Sequence, residues 1–188
     1  MPFYAKLQTM KRLFVAVNLP EETKDILVEY QEKYKEVPGT WTKKENLHIT
    51  LVFYGNASDK ELEEIKKVVK EVVSLHKSFA VKLSKIAYGP SPSMARMIWT
   101  AGDTPKELVT IQKELATALD RSEKRPYSLH ITLARLREWE FQRIDPEERP
   151  TINEEINIEI PCNSIEIMES KLRRGGAEYT VVQSFSLL

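Results

Sequence analysis

The sequence predicts an α+β fold: a duplicated unit whose two antiparallel sheets flank a central cleft, with helices on the outer faces. Three observations predict it. The tetrapeptide His-Ile-Thr-Leu occurs twice, at residues 48–51 and 130–133, nearly half the 188-residue chain apart. A strand-like and then a helix-like pattern precede each copy, a loose internal repeat. Only six glycines are present, and neighbouring strand patterns look antiparallel, which weakens a doubly wound parallel design. The chain therefore reads as a single domain over residues 1–188, with one histidine motif from each of two pseudo-symmetric lobes and residues 1–10 a short extension.

The elements follow in order. Residues 12–18 are rich in β-branched and aromatic side chains and read as a buried strand. Pro20 suits the first turn of a helix, where Glu21 and Glu22 favour its positive end. Ile26, Leu27 and Tyr30 continue that helix until Pro38 and Gly39 stop it. A short strand at 41–43 leads to the first motif strand, 47–53. Ser58 and Glu61 have capping-box spacing ahead of a second helix, whose apolar stripe is Leu62, Ile65, Val68, Val69 and Val72. Residues 79–88 alternate as a strand, although Val81, Leu83 and Ile86 drift out of phase. A loop at 89–93 precedes a strand at 95–101. A third helix over 104–121 turns Leu108, Ile111, Leu115 and Leu119 inward. The second motif strand is 129–136. Residues 138–150, charged and carrying two prolines, read as an exposed loop. Closing strands at 155–169 and 178–187 are joined through residues 173–176.

Composition narrows the function. The 28 basic and 28 acidic side chains give a formal net charge of zero, which argues against coating nucleic acid by bulk electrostatics. Cys162 is the sole cysteine, so neither an internal disulfide nor a thiolate zinc cluster is available. Lys6, Gln8, Lys11 and Arg12 interrupt the N-terminus, and no apolar run approaches the roughly 20 residues of a membrane span. A reduced, cytoplasmic protein with no membrane association is expected.

The repeated tetrapeptide carries the chemistry. Alternate side chains of a strand share a face, so His48 projects with Thr50, and His130 with Thr132. Ile49, Leu51, Phe53, Ile131 and Leu133 project the other way, into the core. Histidine gives and takes protons near neutrality. Two histidines flanking one phosphorus atom divide the work: one, neutral, deprotonates the attacking water or hydroxyl, and the other, protonated, serves the leaving oxygen. Threonine hydroxyls hold the non-bridging oxygens. The sequence has no zinc-binding helix motif, no obvious carboxylate cluster and no glycine-rich phosphate loop, so neither a metal nor a cofactor is expected.

Nearly the whole chain resembles the two-histidine phosphoesterases, specifically their RNA 2′,3′-cyclic phosphodiesterase branch, historically called 2′-5′ RNA ligase. The resemblance rests on the opening strand at 12–17, the first signature at 48–55, the strand at 95–99, the second signature at 130–135, and a closing element from Ser170 to Tyr179. It implies a bilobal α+β fold and hydrolysis of an RNA 2′,3′-cyclic phosphate to a 2′-phosphomonoester without metal or nucleotide cofactor. Some members join a cyclic end to a 5′-hydroxyl end through a 2′-5′ bond. His48 and His130 match the catalytic pair, with His130 as base and His48 as acid by analogy. Thr50 and Thr132 match the phosphate-binding pair, and Arg135 matches a phosphate-contacting arginine. Strict alternation, however, puts Arg135 on the core face with Ile131 and Leu133, unless a bulge, a strand ending or a long reach redirects it. Tyr54 stands where the family commonly has leucine.

RNA with 2′,3′-cyclic ends is the expected partner of a monomer with no obligate protein partner. The alternatives are the same chemistry on a small cyclic nucleotide or a 2′-5′ oligoadenylate, or a non-catalytic RNA-end-binding module. Trp41, Tyr88, Trp99 and Tyr127 are candidates to stack on a base, Tyr127 first among them. Lys171, Arg173 and Arg174 form a small basic cluster, and His76 receives no role.

Overall fold

A computed structural model describes residues 10–174 and 176–188; the expected extension over 1–10 lies, apart from Met10, outside the described residues. The first strand, β1, spans Lys11–Asn18. Leu13, Phe14, Val15, Ala16 and Val17 are all buried, because both of its faces are covered. Leu13, Val15 and Val17 enter the main core. Phe14 and Ala16 form a small second cluster with Met168 on the opposite face. Helix α1 follows at Glu21–Lys33, then β2 at Gly39–Trp41, β3 at His48–Ala57 and α2 at Asp59–Val73. Strands β4 and β5 span Phe79–Gly89 and Met97–Asp103. Helix α3 is Lys106–Ala118 and β6 is His130–Leu136. A short helix α4 at Glu138–Gln142 precedes β7, β8 and β9 at Asn153–Cys162, Ser164–Arg173 and Gly176–Ser186.

The strands form two antiparallel sheets, ordered β3-β1-β8-β9 and β2-β6-β5-β4-β7. The expected α+β architecture of a duplicated unit is thus present, and its two motif strands occupy matching places: β3 pairs with β1, and β6 with β5. The sheets approach one another along β3 and β6. Helix α2 packs on β3 and β9, α3 on β3, and α1 on β6.

Several local expectations need correction. Ile26 is exposed, and α1 buries Thr23, Lys24, Leu27 and Gln31 instead; polar side chains had hidden its inner face. The short strand before the first motif is 39–41, followed by a 3-10 turn at Lys44–Asn46. The expected closing strand over 155–169 is two strands in different sheets, separated at Asn163. The region 138–150 contains α4, whose Phe141 is buried in the core. The second helix does begin with a complete capping box between Ser58 and Glu61, and all four apolar residues expected inward on α3 are buried. The drift in the fourth strand has a cause as well: a β-bulge between Leu83 and Lys85 shifts the register against both neighbours.

Candidate active site

Each histidine opens its motif strand and is held by the carbonyl two residues earlier. His48 Nδ1 lies 2.6 Å from the Asn46 carbonyl oxygen, and His130 Nδ1 lies 3.0 Å from that of Ser128. A carbonyl only accepts, so Nδ1–H donates in both rings, leaving Nε2 for proton exchange. The Thr50 hydroxyl lies 2.8 Å from His48 Nε2, as the expected pairing of alternate side chains requires.

The motif strands share a second device. Between β1 and β3 the register runs Ala16 to Thr50, then Val15 to Val52, leaving Leu51 as an extra residue. Between β5 and β6 it runs Trp99 to Thr132, then Ile98 to Ala134, leaving Leu133 extra. Each strand therefore bulges directly after its threonine and buries two consecutive residues, Leu51 with Val52 and Leu133 with Ala134. Beyond the bulge the phase is reversed. Phe53 and Arg135, which strict alternation assigns to the core, emerge exposed at matching positions. Phe53 is 57% exposed, which corrects its expected place in the core.

A cavity of about 370 Å³ opens here, lined by Thr50, Phe53, Trp99, Tyr127, His130 and Arg135 among others. Arg135 thus reaches the cleft, by the bulge rather than by length alone. His48 and Thr132 are not among the lining residues. Thr132 nevertheless pairs across the sheet with Trp99, which places it on the cavity face. Among the described residues its hydroxyl contacts the Met97 sulfur, at 3.9 Å.

The surroundings of the two rings differ. His48 sits against Phe14 and Tyr179, with ring centroids 5.0 and 5.3 Å away. Asn46, itself buried, arranges this contact: its side chain donates to the Ala177 carbonyl and accepts from the Tyr179 backbone N–H, fastening β9 beside the ring. Burial lowers the His48 pKa below its ordinary value; the Asn46 carbonyl opposes this, while His130 and Lys24 add repulsion. His130 has Trp99 as its aromatic neighbour among the described residues, at 5.0 Å. The indole lies against Gly89, where a Cβ would come within 2.4 Å of it, so only glycine permits that approach.

Of the aromatic candidates, Tyr127 walls the cavity while its hydroxyl donates to the Thr50 carbonyl at 2.9 Å. It ties the two motifs together, and burial raises its hydroxyl pKa far above the ordinary value. Trp99 also lines the cavity, whereas Trp41 and Tyr88 do not. Trp41 packs on the core, and Tyr88 donates to the Pro150 carbonyl. In the basic cluster, Lys171 pairs with Glu169 and Arg173 with Glu178, away from this cavity. His76 contacts Glu114. Among the described residues, no group of three or more His, Cys, Asp or Glu side chains is placed to hold a metal ion. Sequence reasoning missed Asn46, Gln31 and Lys24; none belongs to a motif. Tyr179 entered only as the last residue of a resembling segment.

Comparison with known proteins gives a consistent picture. The model of the family described as LigT like phosphoesterase matches twice, over residues 17–99 and 100–179. A Methanocaldococcus jannaschii protein named RNA 2′,3′-cyclic phosphodiesterase is 32% identical over 67% of this chain and 72% of its own length. A Thermus thermophilus protein of the same name is 29% identical over 94% of this chain and 90% of its own. A solved Thermus thermophilus structure superposes with a TM-score of 0.79 at 26% identity, covering 94% of this chain and 97% of the other. Escherichia coli LigT complexed with NADP+ gives 0.75 at 25%, covering 95% and 99%. Among the described residues, no helix is long and apolar enough to cross a membrane. The chain belongs to the LigT-like phosphoesterase family, within the two-histidine phosphoesterases.

Proposed function

We propose that this LigT-like phosphoesterase hydrolyses RNA 2′,3′-cyclic phosphate ends to 2′-phosphomonoesters, with His48 and His130 as its proton-transfer pair. The carrying observation is that both imidazoles are fixed through Nδ1 to a backbone carbonyl, which leaves Nε2 of each for proton exchange, with His130 and the Thr50 partner of His48 lining one cavity. The names of the relatives supply the substrate class.

In the reaction, water attacks phosphorus opposite O3′. Neutral His130 accepts the water proton at Nε2; the P–O3′ bond breaks with its electron pair on O3′, and protonated His48 delivers a proton there. The product keeps its phosphate on O2′. Thr50 and Thr132 donate to the non-bridging oxygens, and the Arg135 guanidinium neutralises their charge. This order requires that His48 be charged at turnover, although burial disfavours that in the free protein. The anionic substrate resolves the conflict, since a phosphate beside a desolvated imidazole raises its pKa strongly. A 5′-hydroxyl replacing water produces a 2′-5′ bond with the same two roles.

The proposed partner is an RNA end, in keeping with the relatives' names, and the proposed state is a monomer. A cytoplasmic setting agrees with a buried, unpaired Cys162. The test is one assay on a defined cyclic-ended oligonucleotide in EDTA, with the product identified. A 2′-phosphate is expected; release of a 3′-phosphate, or a requirement for added metal, refutes the reading. Turnover on mononucleotide cyclic phosphates alone favours the small-substrate alternative, and tight binding without product favours the binding module.

A further inference from the structure

The bulge that turns Arg135 into the cleft has a support of its own, and it comes from outside both motifs. Gln31 lies on the inner face of α1 and is only 7% exposed, where packing alone would favour an apolar side chain. Its Nε2 donates to the Leu133 carbonyl at 2.9 Å and to the Thr42 carbonyl at 2.8 Å, using both amide hydrogens. Leu133 is the extra residue of the β6 bulge. The Thr42 backbone N–H donates to the same Leu133 oxygen at 2.9 Å. One carboxamide therefore closes the gap where β2 leaves β6, and it clamps the residue whose insertion reverses the strand's phase.

The other half repeats the device. Gln112 on α3 reaches the carbonyl of Leu51, the extra residue of β3, at 3.4 Å. Each helix thus reaches across to the bulge in the motif strand of the opposite half. Removing the Gln31 donor takes a hydrogen bond from the Thr42 carbonyl and leaves the Leu133 carbonyl held by the Thr42 N–H alone. With that clamp gone, a slip of the strand back into regular alternation turns Arg135 toward the core.

We infer that Gln31 is a positioning residue: by holding the Leu133 carbonyl it fixes the bulge phase that presents Arg135 beside His130 and Thr132. This rests on the phosphate-binding role proposed above for Arg135. The test is a double-mutant cycle with Gln31→Met, which conserves volume and removes the donor, in native and Arg135→Ala backgrounds. A crystal structure of Gln31→Met accompanies it. In the native background kcat/KM falls about tenfold, mainly through KM; in the Arg135→Ala background it changes less than about twofold. The crystal structure shows Arg135 displaced from the cleft. An equal loss in both backgrounds overturns the inference, because a purely structural glutamine acts regardless of Arg135. An unchanged bulge with Arg135 in place overturns it too. Should Gln31→Met not fold, Gln31→Asn, one carbon too short, replaces it in the same cycle. If the unaltered protein turns over no cyclic-ended RNA, the proposed function fails, and the variant's structure alone decides the role of Gln31.

Discussion

The two motif strands are built alike and furnished differently. Both begin with a histidine anchored to the carbonyl two residues back, and both bulge after the threonine. Both then return the side chain of their sixth residue to the cleft, but that side chain is Phe53 in one and Arg135 in the other. His48 forms a three-ring cluster with Phe14 and Tyr179, while His130 meets Trp99 at the wall of an open cavity. Duplication has thus kept the backbone geometry, which delivers a ring nitrogen to the site. The neighbours have diverged, and these set charge and solvation. A symmetric scaffold thus gives its two histidines unlike surroundings through its packing.

The largest expected effect falls where the halves agree. Alanine at either His48 or His130 lowers kcat on a cyclic-ended oligonucleotide by at least about a thousandfold, with the melting temperature little changed; a variant retaining a tenth of the activity would break the pairing of roles. Next, Thr50→Val and Thr132→Val each lower kcat by about a hundredfold. A loss at only one would show that a single threonine carries the transition-state charge.

Where the halves differ, smaller effects sharpen the contrast. Arg135→Ala raises KM about tenfold, whereas Phe53→Ala changes it by less, read from steady-state titrations. An equal effect at both positions would erase the asymmetry.

Acidity gives the finest comparison. Because the folded His48 pKa lies below its ordinary value, the free protein loses the charged acid as pH rises through that lowered pKa. The alkaline limb of kcat/KM should therefore fall below about 6.5. In the substrate complex the phosphate raises that pKa, so the limb of kcat moves to higher pH. Coincident limbs in full pH profiles would assign the acid elsewhere. The same shift acts on stability: the unfolded chain takes up the proton first as pH falls through about 6.5, so the native state loses stability there. His48→Gln should remove that part of the pH dependence of thermal unfolding.

The elements written in apolar periodicity were legible in the sequence. The inward face of α3, the capping box of α2 and the buried β1 all follow local patterns, and the repeated tetrapeptide located the site. What escaped is what non-local pairing decides. A bulge is a mismatch in length between two strands, so nothing in residues 130–135 alone reveals that Leu133 is extra. The inner face of α1 was obscured because the buried Gln31 and Lys24 are polar, and the carbonyl partners of Gln31 lie far along the chain. The division of 155–169 into β7 and β8 depends on which sheet has a vacant edge, and no local composition records that. Asn46 could have been suspected only from its place two residues before the motif.

The route of the chain between the sheets has a consequence for synthesis. The sheet that carries His48 takes β1 and β3 from early in the chain and β8 and β9 from its end. Tyr179, which closes over the imidazole, is fastened by Asn46 across 133 positions. While the polypeptide is still being translated, His48 lacks the wall that sets its acidity, even after both motifs have left the ribosome. The packing around His48 is complete only once the final hairpin docks, so a prematurely terminated product carries both His-Ile-Thr-Leu signatures without an assembled site.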